Sequence, residues 1–134
     1  MPLSTKVTSS EGKTYGNPFI GPINHVDSVR LDVSGLTTAE VDANGYLKPG
    51  VPLLATGLLV TAPATIAHGV TIEPIKVAAS NSAADIAAGV DIDVGLGQIG
   101  LVSRAICEDN LGRVLTANEI AALAIAGSLL KLIA

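Results

Sequence analysis

Two spacings of apolar residues organise this chain. Val29, Leu31 and Val33 alternate with Arg30 and Asp32, the two-residue period of a half-buried strand. The same period returns at Val90, Ile92 and Val94, with Asp91 and Asp93 between them. Residues 53–61, 70–77 and 99–106 are further strand candidates, and Pro74 makes the second of these an edge strand or a bulged one. Helical punctuation occurs twice. Ser82 and Asp85 have capping-box spacing ahead of a short helix ended by Gly89. Thr116 and Glu119 repeat that spacing, with Leu115 and Ile120 placed as a hydrophobic staple and Gly127 positioned to close the helix. Residues 128–134 are too few for another stable helix and predict a closing strand.

The turns between these elements are written in glycine and proline. Asn44-Gly45 is a strong hairpin signal, and Lys48-Pro49-Gly50-Val51 has proline and glycine where a type II turn needs them. Glu108-Asp109-Asn110 predicts a polar turn after the 99–106 strand. Residues 1–24 differ from the rest, being rich in Ser, Thr, Gly, Pro and Asn; they predict an extended arm that a partner surface would order. The expected architecture is thus a β-rich α+β fold with six to eight short strands and two short helices: an N-terminal arm over 1–24 and a β-rich domain over 25–134.

Composition changes this picture in one respect. Only 15% of the 134 residues are charged and mean hydropathy is +0.53, leaving more apolar surface than one copy hides easily. Homo-oligomerisation follows as the first expectation. Twelve acids against eight bases give a net charge of −4, and the bases are scattered singly, so nucleic acid is not an expected partner. Three aromatic residues, Tyr15, Phe19 and Tyr46, offer little for stacking on bases or sugars. The single Cys107 excludes an internal disulfide. No charged side chain occurs between Lys48 and Glu73, yet Pro49, Pro52, Pro63 and the interspersed glycines argue against a membrane span. The first ten residues lack the apolar core of a secretory signal.

Candidate chemistry is sparse. Gly95-Leu-Gly-Gln-Ile-Gly100 matches the dinucleotide-loop spacing, but no alternating strand–helix array surrounds it; a glycine-rich turn or bulge is the expected reading. Asp91 and Asp93 share a strand face about 7 Å apart, with no third acid nearby to complete a cation site. His25 could pair with Asp27, and His68 lies 43 residues on, but no exposed nucleophile elbow accompanies them. Cys107 beside Glu108 is a poor nucleophile, because a neighbouring acid disfavours the thiolate. No catalytic residue, cofactor or metal site is expected.

Two blocks carry a family resemblance. The segment Asp42-Ala-Asn-Gly-Tyr-Leu-Lys-Pro-Gly-Val-Pro-Leu53 resembles a turn of tailed-bacteriophage head decoration proteins. Arg104-Ala-Ile-Cys-Glu-Asp-Asn-Leu-Gly-Arg113, with the capped helix and last strand after it, is similar to the end of the same proteins. The resemblance implies a lambda-like capsid cement protein of barrel-like, β-tulip type: a homotrimer on the outer surface of the virion, made in the host bacterial cytoplasm, with the major capsid protein as partner. It further implies that the N-terminal arm adds strands to the capsid, which assigns the contact to Pro2, Leu3, Ser4, Thr5, Lys6, Val7 and Thr8. The chain departs from the lambda-like pattern in lacking Trp and in the length of its arm. The alternatives are a receptor- or glycan-binding head-fibre or tail module, and a small enzyme using the Gly95–Gly100 loop.

Overall fold

The computed structural model describes residues 6–8, 14–63, 65–125 and 128–133. In chain order the elements are β1 (Lys6–Thr8), β2 (Thr14–Gly16), β3 (Phe19–Leu31), a single 3-10 turn (Val33–Gly35), β4 (Tyr46–Leu47), β5 (Pro52–Leu53), β6 (Gly69–Thr71) and β7 (Ile75–Lys76). There follow α1 (Ala83–Ala87), β8 (Ile92–Ser103), α2 (Arg104–Leu111), α3 (Ala117–Ala124) and β9 (Leu130–Ile133). The fold is α+β, with mostly antiparallel sheets and three short α-helices.

The spine is β8. β3 runs antiparallel along one side of it, from Phe19 opposite Val102 to Leu31 opposite Ile92. On its other side β6 pairs at Leu96 and Gly97, and β9 pairs in parallel from Gly100 to Ser103. β5 extends the sheet beyond β6, while β4–β7 and β1–β2 form separate two-stranded sheets. The order β3-β8-β6-β5 leaves both ends open, so no closed barrel occurs among the described residues. The core gathers Leu31, Leu47, Leu53, Val70, Val94, Leu96, Val102 and Leu123, all fully buried.

Several expectations need correction. The third helix, α2, occupies residues read as strand and polar turn. Ser103 accepts from the Ile106 N–H at its start, Gly112 closes it at φ 70°, and Cys107, Asn110 and Leu111 bury one face. Residues 53–61 do not form one strand: the chain turns at Gly57, at φ 80°, where a side chain would strike the Arg30 carbonyl. Pro74 separates two strands, β6 and β7, that belong to different sheets. Of the turn or bulge expected at Gly95–Gly100, the bulge is what occurs, in the middle of β8. Its register skips Gln98 between the pairs His25–Ile99 and Val26–Gly97, which is a bulge. Part of the expected arm lies in the body: β3 begins at Phe19, and Tyr15 and Phe19 are buried.

The Thr116–Glu119 cap behaves as its spacing predicts. Thr116 accepts from the Glu119 N–H at 3.1 Å and Glu119 returns a bond to the Thr116 N–H at 2.9 Å. Ser82 accepts from the Asp85 N–H, but the Asp85 carboxylate binds Ser80 rather than completing the box. α3 ends on an extended Ile125, and Gly127 lies outside the described residues.

Candidate functional site

Of the seven residues assigned to the capsid contact, Pro2, Leu3, Ser4 and Thr5 lie outside the described residues. Lys6, Val7 and Thr8 form β1, antiparallel to β2 with Val7 opposite Tyr15. β2 is tied to the body by Asn110, which accepts from the Gly16 N–H at 3.0 Å and donates to the Gly16 carbonyl at 2.8 Å. Tyr15 anchors the same strand, its hydroxyl donating to Asp42 at 2.5 Å; burial, then that carboxylate, raise the phenol well above its ordinary value. β1 pairs with β2 alone among the described strands, so its far side is an open edge.

A second feature lies where β3, β8 and β9 meet. Ile20 sits opposite Leu101 across β3–β8, and Leu101 opposite Lys131 across β8–β9, so all three share a face. Alternation puts Ile99 on the face of Leu101, and Ile99 lines a pocket of about 400 Å³ with Leu129, Ile66, His25 and His68. Leu129 is 67% exposed, and Ile20, Ile66 and Leu101 are also open to solvent. Four exposed aliphatic side chains, Ile20, Ile66, Leu101 and Leu129, therefore gather around the half-buried Ile99, with the exposed Lys131 at their side.

The pocket also collects polar groups. The bulge at Gln98 brings both Gln98 and Ile99 to its wall. His68 Nε2 lies 3.1 Å from Asp27 Oδ2 and 2.9 Å from Gln98 Nε2, and Gln98 donates to the His68 carbonyl at 3.2 Å. The His68 contact, followed by the Ser28 N–H, holds the Asp27 carboxyl below the ordinary carboxylate range. The pairing predicted within His25-Val-Asp27 is replaced by one across 41 residues, from Asp27 to His68. No local sequence signal announces that contact.

The other candidates disperse. Asp91 accepts from the Val33 N–H at 3.0 Å and Asp93 pairs with Arg30 at 3.3 Å, so the two acids serve different partners. Gly97 makes room for the Phe19 ring, which an added Cβ would meet at 2.4 Å; the glycines lie within β8, which runs on to Ser103 before α2 begins. Cys107 is buried, and that burial, with Glu119 and Glu108 adding to it, pushes its thiol up to about 12. All three aromatic residues are buried, which leaves none to stack on a sugar. Among the described residues no cluster of three His, Cys, Asp or Glu gathers, and no helix is long and apolar enough to cross a membrane.

Sequence reasoning missed one cluster entirely. Arg113 donates to Glu119 at 2.8 Å and to Glu40 at 3.0 Å, and both carboxylates are 2% exposed. Glu40 also accepts from the Thr37 N–H and hydroxyl, at 2.7 Å each. This group joins the α2–α3 loop to the turn before β4. Every buried side-chain polar atom among the described residues has a partner.

No family model, curated protein or solved structure matches this chain.

Proposed function

We propose that the protein is a structural capsid decoration protein, a homotrimer that binds the outer surface of a tailed-phage head and stabilises the expanded shell against the pressure of packaged DNA. One observation carries this reading: the exposed aliphatic side chains of Ile20, Ile66, Leu101 and Leu129, gathered around the half-buried Ile99 on an otherwise well-satisfied fold. A second copy of the chain is the occupant that a low charge content and one wet aliphatic sheet face favour. The open edge of β1, in the stretch that the resemblance assigns to the capsid, supports strand addition to the major capsid protein. Three such arms on one trimer make each later contact intramolecular, so individually weak additions combine. The barrel-like, β-tulip type architecture belongs to the same proposal, supported by a spine strand that carries three neighbours. The location on the virion, after synthesis in the host cytoplasm, follows from it.

Removal of residues 2–8 tests the arm. The shortened chain is expected to keep its oligomeric mass and lose attachment to expanded phage heads in a co-sedimentation assay. Full attachment without those residues would refute the assigned contact.

A further inference from the structure

His68 precedes β6 and its ring reaches two strands at once, Asp27 on β3 and Gln98 on β8. Both contacts converge on one atom, Nε2, at 3.1 Å and 2.9 Å. A ring nitrogen has either one hydrogen or one in-plane lone pair, so it cannot serve a carboxylate and an amide nitrogen together. The Gln98 amide cannot simply flip. Its nitrogen already donates to the His68 carbonyl, and an oxygen in that place would face another oxygen. The second hydrogen of the same NH2 group is thereby aimed at Nε2, which must then accept.

We infer that His68 is a proton-operated latch: the neutral ring, protonated at Nδ1, accepts from Gln98, and the imidazolium turns its Nε2–H to Asp27. The bulge is what makes this arrangement possible, since it turns Gln98 into the same pocket as Ile99. Asp27 is free to respond, being half exposed and still held at its other oxygen by the Ser28 N–H at 2.9 Å. Protonation therefore ties β3 to the start of β6, and deprotonation moves the tie to β8. Among the described residues, Asp27 is the charged group facing the ring, and His25 on the same strand is the other titratable group lining the pocket. The remaining pocket wall is uncharged: Ile66, Ala67, Gln98, Ile99, Ser128 and Leu129. The latch stands on these side-chain positions and does not depend on the capsid reading.

Long-range 15N–1H correlation spectra of the intact protein test it. Well above the imidazole range, His68 should show a protonated Nδ1 and a lone pair on Nε2; well below it, both nitrogens should carry hydrogen. A neutral ring protonated at Nε2 would overturn the latch, because Asp27 would then keep its bond at every pH. Gln98→Met provides the second reading, with the backbone spectrum as the check on folding. Without the amide donor, neutral His68 should switch to the Nε2–H form and donate to Asp27. Retention of the Nδ1–H form in that variant would equally overturn the latch.

Discussion

Two regions of the molecule invert the usual placement of polar and apolar groups. Around Arg113, two glutamates are sealed from water; around Leu101, four aliphatic side chains are left in it. The first region is closed upon itself. Each glutamate there is met by the guanidinium and by backbone or hydroxyl donors, so desolvation is offset within the fold. The second has no such compensation inside one copy. Buried charge here fixes how turns and helices sit against each other, whereas the exposed aliphatic side chains are the surface on which the proposed self-association rests.

The largest expected effect comes from breaking the closed region. Arg113→Ala strands two buried carboxylates and should cost about 3 kcal/mol of unfolding free energy, read from urea denaturation. A loss below about 1 kcal/mol would mean that the glutamates rehydrate easily. Next comes the spine between the regions. Gly97→Val pushes into the Phe19 ring and should cost about 2 kcal/mol, since ring and strand are both held by the core. Thermal unfolding at an unchanged midpoint would show that Phe19 can swing away.

Smaller effects sharpen the open region. Asp27 titrates below its unfolded value, so it favours the fold above the ordinary carboxylate range. That contribution is lost as pH falls through the lowered folded value. His68→Gln removes the first cause of the lowering and should move the Asp27 titration, followed by carboxyl 13C shifts, back up toward the ordinary carboxylate value. An unmoved titration would assign the lowering to the Ser28 N–H instead.

How much of this was legible in the sequence depends on how local each feature is. The Thr116–Glu119 box, the turn at Gly50 and the closing strand β9 each rest on a few adjacent residues, and the structure places them as the spacing predicts. The α2 helix had its own signals, Ser103 at the cap and Gly112 at the stop, but an apolar run from Ile99 to Ile106 reads equally well as strand. Arbitration came from tertiary packing of Cys107, Asn110 and Leu111, which no short window contains. The turn at Gly57 packs against the distant Arg30 carbonyl, which leaves no room for a side chain there. The candidate site is the extreme case. His25, Asp27 and His68 are individually conspicuous, yet their pairing spans 41 residues and needs the Gln98 bulge, which only the register of β3 on β8 reveals. The Glu40–Arg113–Glu119 group spans 73 residues on one side, so no local spacing announces it.

The most direct test of the open region is the solution mass of the full chain by sedimentation equilibrium, beside that of a Leu101→Lys, Leu129→Lys variant. The wild-type chain should sediment as a trimer and the variant as a single copy with an unchanged far-ultraviolet spectrum. A wild-type chain that stays monomeric at high concentration would contradict the claim that this apolar face holds copies together.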